Sequence, residues 1–275
     1  MKLREVECRT ILTRTGGFLH SFSHSLNPYR GCSYGNSLCG VACYAPMVRF
    51  GAAAGEWGSY LDAKVNAAEV YPRDLKRERR RGPVRIFCAS VTDPYVPQES
   101  RLRITRGLLE AMVTEPPDAL VLQTHTPGPL RDLDLLRRLD CELSIQISVE
   151  TDRAAIPGLP PHSSPPAARL DALRQLKAAG LRAVGVVAPL LPLEDPVRFA
   201  HDLDEACTSV IVDHYLVGDG SKGGARTRRR GLPDKLIEAG FERWTRIEAL
   251  EETAELFRQV LGPERVGVSI YGFNR

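Results

Sequence analysis

A chain of 275 residues that is 43% hydrophobic and 26% charged can bury a full core, which excludes a disordered or fibrous polypeptide and fits one large domain of the α/β-barrel size class. Its 37 Lys and Arg against 34 Asp and Glu leave a net charge of only +3, so no global field marks a nucleic-acid binder, and basic surface is confined to local runs at 76–81 and 226–230. No apolar run is long enough to span a bilayer and residues 1–10 lack the apolar core of a signal peptide, so a soluble, cytoplasmic protein without a membrane partner is expected.

Residues 1–20 show no strong pattern, and Cys8, with no cysteine neighbour, reads as an ordinary thiol. Residues 22–26 alternate loosely and predict a first strand, which would set the next stretch, NPYRGCSYGNSLCGVACYAP at 27–46, at that strand's C-terminal end. Three of the seven cysteines, Cys32, Cys39 and Cys43, fall in this stretch. Thiols this close point to a shared metal partner, zinc or an iron–sulfur cluster, in a reducing compartment. A structural zinc site asks for a fourth ligand, and His20 and His24 lie upstream without tight ligand spacing. A cluster on three thiolates instead keeps one iron open for chemistry.

Residues 51–58, rich in Gly and Ala, read as a flexible excursion before a first helix near 74–81. From there the pattern is regular. Apolar runs at 84–89, 119–123, 143–149, 183–188 and 209–212 read as buried parallel strands. Between them Ile104, Leu108 and Met112, then Leu133, Leu136 and Leu139, then Leu170, Leu173 and Leu176, and finally Ala200, Leu203 and Cys207 recur at helical spacing. Ser163, Ser164 and two prolines precede the third set as a cap and first turn. Such alternation implies a parallel sheet with helices outside, as a barrel or an open doubly wound sheet. Beyond Val212 come a glycine-rich basic loop at 218–231, a Pro-started segment, a long helix at 247–261 and a late strand or extended tail at 265–270.

In parallel α/β folds the site forms at the C-terminal strand ends. There the chain places Ser90, Thr92 and Asp93, then Thr124 and His125, then Glu150 and Thr151, and further on Asp213, His214 and Tyr215. Singly, Thr92, Asp93 and Thr151 read as turn caps; converging on one rim, they read as a binding site.

NPYRGC with two further cysteines and Tyr44-Ala45, VTDPYVPQE at 91–99, LRITRGLLEAM at 102–112, PLRDLDLLRRL at 129–139 and RLDALRQLKAAGLRAVGVVAPLLP at 169–192 resemble, in that order, the radical SAM superfamily and its spore photoproduct lyase-like branch. One feature departs from the family: its cysteine loop reads C-x3-C-x2-C, whereas this chain has C-x6-C-x3-C. The resemblance implies a single radical SAM domain, a partial (β/α)6 TIM-type barrel over about 20–215 with a C-terminal helical extension over about 216–275. It implies a 4Fe-4S cluster on Cys32, Cys39 and Cys43. It also implies S-adenosyl-L-methionine, cleaved to methionine and a 5′-deoxyadenosyl radical that abstracts hydrogen, and a reductant such as flavodoxin or ferredoxin.

By the same resemblance Tyr44 belongs to the cofactor-binding set, Ser90, Thr92 and Asp93 meet the methionine end of the cofactor, and Ser148 and Glu150 lie near its ribose. His125 stands where relatives carry a lysine for the methionine carboxylate; a neutral imidazole there would make binding tighter at lower pH. Members of the branch return a hydrogen atom from a cysteine whose position matches Ser90. Cys88, of the same strand parity, is the candidate substitute, and its other reading is a small buried apolar residue. Several readings of the substrate stay open: a DNA lesion, or a small molecule or peptide whose anionic group meets the basic loop. A metal- or nucleic-acid-binding protein that kept the barrel and lost the chemistry is the alternative from another class.

Overall fold

A computed structural model describes residues 1–48 and 55–274. The excursion expected at 51–58 therefore lies in part outside the described residues. Eleven strands form among those described: β1 (Lys2–Val6), β2 (Leu12–Arg14), β3 (His24–Leu26), β4 (Tyr29–Gly31), β5 (Tyr60–Lys64), β6 (Arg85–Cys88), β7 (Ala119–Thr124), β8 (Glu142–Ser148), β9 (Ala183–Val187), β10 (Ser209–Val212) and β11 (Val266–Val268). Eight of them make one sheet in the order β11-β10-β9-β8-β7-β6-β3-β2, parallel throughout except where β2 meets β3. From β6 to β10 each strand lies beside its predecessor in sequence, with a helical crossover between, the arrangement that repeated right-handed strand–helix units generate.

The apolar runs became strands because both faces of this sheet are covered. One face packs Ile86, Leu120, Leu122, Ile145 and Ile147 against Leu108, Met112, Leu173, Leu203 and Phe257 of the helices. The other gathers Phe22, Phe87, Val121, Val184, Val186, Ile211 and Phe273. Strand alternation decides the fate of Cys88: it lies with Ile86 on the helix side, while Phe87 between them points the other way.

Three sequence expectations change. The first helix runs Ala67–Arg79, earlier than 74–81 and with Pro72 inside, because its buried residues Ala67, Val70, Tyr71, Asp74, Leu75 and Glu78 already recur at helical spacing. The stripe of Leu133, Leu136 and Leu139 yields one α-turn, Leu133–Leu136, entered through a 3-10 turn. The serines expected to cap the Pro166–Ala178 helix make no cap; the hydroxyls of Ser163 and Ser164 donate to the His125 carbonyl at 3.2 and 2.9 Å. The other helices, Ile104–Thr114, Pro196–Ala206 and Glu248–Leu261, follow their stripes. No described helix is long and apolar enough to cross a membrane.

A second sheet, β1-β5-β4, carries no sequence signature. Its central strand buries Asp62, which is held by Arg4 at 2.6 and 3.0 Å and by Arg30 at 2.8 Å. The cysteine loop starts from this sheet: β4 ends at Gly31, so β4 stands between β3 and Cys32. The Tyr29 hydroxyl donates to the Glu99 carboxylate and ties this sheet to the segment after β6.

The loops after β6 and β7 touch where Gly128 lies under Tyr95; a Cβ there would sit 2.2 Å from the ring. Gly128→Ala is expected to lower stability by about 1–3 kcal/mol or more, as overpacking does. A urea midpoint unchanged from wild type would show that the two loops do not depend on this contact.

Candidate active site

A cavity of about 420 Å³ opens at the C-terminal strand ends, within the range of small-molecule sites. One wall is the cysteine loop, with Cys32, Cys39, Cys43 and Tyr44 on the cavity surface; the facing rim carries Ser90, Thr92, Asp93, His125 and Glu150. The widened spacing has a structural use. Residues 38–42 form a helical turn, Leu38–Ala42, capped by Cys43, so Cys39 and Cys43 stand four apart, the separation that aligns two side chains on one helix face. The turn folds back closely on the extra residues, leaving no room at Gly40, where a Cβ would lie 2.1 Å from the Gly35 carbonyl.

The loop is anchored chiefly by contacts from elsewhere. Tyr44 donates to the Ser90 carbonyl at 2.6 Å, Tyr34 to the Tyr95 carbonyl at 3.1 Å and Ser33 to Gln98 at 2.6 Å, all toward the segment after β6. The Leu38 amide donates to Pro161 O at 2.8 Å, and Arg230 to Gly40 O at 3.1 Å. Burial pushes the Cys32 and Cys39 thiols up to about 12 and Cys43 up to about 11, so a nearby cationic centre is what would hold them as thiolates.

The rim is a chain of alternating charge. Asp93 accepts from the amides of Tyr95 and His125 and from the Thr124 hydroxyl, each at 2.8 Å. The His125 ring lies between two carboxylates, Nδ1 3.4 Å from Asp93 and Nε2 3.2 Å from Glu150. Glu150 meets Arg169 Nη1 at 2.6 Å, and that nitrogen also donates to Ser148 O at 2.7 Å. Burial opposes the charge on His125, but Cys39, Asp93 and Glu150 outweigh it and hold the imidazole well above its ordinary pKa. These neighbours favour the protonated imidazole, the opposite direction from the neutral ring of the sequence reading. Burial likewise opposes the charge on Glu150, and Arg169 and His125 together overcome it and keep the carboxyl well below the usual range.

Two expected residues stay off the cavity surface. Cys88 is buried in the helix-side core; the parity that would join it to Ser90 ends with β6 at Cys88. Ser148 lies beneath the rim, its hydroxyl 3.4 Å from Gln123 Nε2, and Gln123 is the residue that reaches the cavity. Thr151 keeps the turn role, its hydroxyl accepting from the Arg153 amide at 3.1 Å while donating to Pro192 O at 2.6 Å. Arg169, 1% exposed, was missed in the sequence; its signal was its place four residues before Leu173 on the helix's apolar face. Asp213 also lines the cavity, with burial pushing its carboxyl up to about 7, and it packs so closely on Gly218 that a Cβ there would lie 2.0 Å from its oxygen.

No protein-family model matches the chain. It is 27% identical over 212 residues to the uncharacterized protein ORF301 of Acidianus two-tailed virus, covering 74% of this chain and 66% of the viral protein. It is 28% identical over 198 residues to an uncharacterized protein of Mycobacterium tuberculosis, 68% of this chain and 56% of the relative. The chain thus spans 56% to 66% of the length of these relatives. Among solved structures, a spore photoproduct lyase superposes with a TM-score of 0.65 at 19% identity, over 97% of this chain and 81% of that one. The chain shares the fold of spore photoproduct lyase. A further structure of the lyase, with bound AdoMet and dinucleoside spore photoproduct, superposes with a TM-score of 0.64 at 18% identity.

The cavity walls fit an iron–sulfur cluster with an adenosyl cofactor. All three loop thiols are free of disulfides and line one space, and the buried Thr92 hydroxyl beside it has no hydrogen-bond partner among the described residues. Among the described residues no three His, Cys, Asp or Glu side chains converge as a single zinc ion requires. A cluster takes each thiolate on a different iron, which suits three thiols that line one cavity without converging on one point.

Removing Arg169 would leave Glu150 buried without its closest cation, so Arg169→Ala is expected to cost about 3–5 kcal/mol in chemical denaturation, and a loss below ~1 kcal/mol would contradict the role. Asp213 gives a pH test. An unfolded aspartate ionises near 3.9, and the folded one near 7, so its contribution is full below about pH 4 and is lost as pH rises through about 7. Asp213→Asn should match wild type near pH 4 and exceed it in stability by up to ~4 kcal/mol above pH 7. Melting curves for the pair at both pH values decide this, and a constant difference would refute it.

Proposed function

We propose that the chain is a radical S-adenosylmethionine enzyme. In this reading Cys32, Cys39 and Cys43 hold a 4Fe-4S cluster, the adenosyl cofactor lies between it and the rim, and a substrate in the same cavity loses a hydrogen atom. The observation that carries it is the convergence of the three loop thiols with Ser90, Thr92, Asp93, His125 and Glu150 around one space. When bound and reduced, the cluster supplies the electron that splits the cofactor into methionine and a 5′-deoxyadenosyl radical. A flavodoxin or ferredoxin would be the reductant.

The chain's own residues supply position and charge. Thr92 offers its unengaged hydroxyl to the methionine end of the cofactor. His125 brings a positive charge to the carboxylate; its contacts to Asp93 and Glu150, at 3.4 and 3.2 Å, are longer than good charge-assisted bonds, so the ring can turn to a stronger acceptor. Leu38, Phe87 and Leu191 present apolar wall that keeps water from a reactive carbon. The thiols that line the cavity among the described residues are the three of the loop. With Cys88 behind the wall, the position that resembles the family's hydrogen donor holds Ser90. This favours a reaction without hydrogen return from a cysteine, and so a small molecule or peptide over spore photoproduct-like DNA repair.

The test is anaerobic purification with iron, sulfide and zinc quantified, then dithionite reduction with S-adenosylmethionine and assay of 5′-deoxyadenosine. Matching iron and sulfide with product formed is expected, and Cys39→Ala should lose both while keeping its circular dichroism. Zinc in place of iron, or a complete cluster that never cleaves the cofactor, would overturn the reading.

A further inference from the structure

The basic run at 226–230 has four arginines, and the structure gives them different surroundings. Arg228 and Arg229 are exposed, Arg228 turning Nε back onto Gly223 O at 2.9 Å. Arg230 fastens the cysteine loop through Gly40 O. Arg226 is the one of the four that lines the cavity. Its Nη1 donates to Asp219 O at 2.9 Å, which fixes the side chain, and its amide donates to the Ser221 hydroxyl at 3.1 Å. The Asp219 carboxylate accepts instead from Ser221 and from the Thr227 amide at 2.9 Å and makes no ion pair with the guanidinium.

Among the described residues no carboxylate forms an ion pair with Arg226. A half-buried guanidinium held in place with no ion-pair partner among the described residues is a site for an oxyanion, since its planar fork matches carboxylate and phosphate geometry. The same cavity is lined by apolar and aromatic side chains, Phe18, Leu19, Phe87 and Phe273, with Phe18 and Phe273 in ring contact at 5.5 Å.

We propose that Arg226 is the anion-recognition residue of this cavity, and that the substrate is a small molecule joining a carboxylate or phosphate to an apolar, ring-sized body. The word substrate here rests on the radical-enzyme reading; the anion site does not. A nucleic-acid strand, the competing occupant, would draw on the outward-facing Arg228 and Arg229 as well.

The experiment titrates the cluster-reconstituted chain calorimetrically, without oxygen, with phenyl phosphate, benzoate, neutral benzyl alcohol, S-adenosylmethionine and a short single-stranded oligonucleotide. Wild type, Arg226→Gln, Arg226→Lys and the Arg228→Gln/Arg229→Gln pair are compared. Phenyl phosphate or benzoate is expected to bind at least about tenfold more tightly than benzyl alcohol. Arg226→Gln should lose that advantage, Arg226→Lys should keep part of it, and the paired variant all of it. Which anion binds more tightly tells phosphate from carboxylate.

The proposal fails if neither anion outbinds the alcohol, if Arg226→Gln behaves as wild type, or if the paired variant loses as much. It also fails if the oligonucleotide is the tighter ligand, or if Arg226→Gln weakens the adenosyl cofactor and spares the anions. Iron, sulfide and 5′-deoxyadenosine are measured on the same wild-type preparations. Anion binding through Arg226 without cofactor cleavage would sink the radical reading and leave the site standing; cleavage without anion binding would sink the site alone.

Discussion

The buried charge chain from Arg169 through Glu150 and His125 to Asp93 is the constraint on which the site's geometry depends. Its members come from the ends of β6, β7 and β8 and from the helix that follows β8, so the two contacts of His125 join neighbouring strand ends and the Arg169 contact ties β8 to its own helix. Two anions alternate with two cations, and the amides of Tyr95 and His125 take up lone pairs of Asp93. Buried ions are tolerated where opposite charge meets them, as Arg169 meets Glu150 at 2.6 Å.

The cysteine loop depends on that rim. It rises from the small sheet, contains one helical turn, and is held by hydroxyls of Ser33, Tyr34 and Tyr44 bonded to the segment that begins at Ser90. Widening the cysteine spacing did not remove the thiols from the cavity, because the added residues wrap into a turn that returns Cys39 and Cys43 to one face. The widened spacing thus leaves all three thiols lining one cavity.

The cavity draws on several kinds of lining. The thiols and the hydrogen-bonded rim supply polar groups, while the segment before β3, the basic loop after β10 and Phe273 add aromatic rings and the Arg226 guanidinium. Asp213 follows β10 directly, and its closeness to Gly218 makes that glycine a geometric necessity.

The alternation of strands and helices and the polar residues at the strand ends were legible in the sequence, because apolar periodicity and strand-end position are local properties of the chain. That the three cysteines would lie close together was legible as well, since they fall within one short stretch. Contacts between distant segments decided the rest. The small sheet could not be read because its central strand buries Asp62, whose arginine partners come from residues 4 and 30. The fate of Cys88 turned on where β6 ends, the charge of His125 on two carboxylates from neighbouring strands, and the burial of Arg169 on Glu150. Of four similar arginines in one run, Arg226 alone faces the cavity because the Asp219 carbonyl holds it there while the Asp219 carboxylate is engaged elsewhere, an outcome of folding that no local pattern encodes.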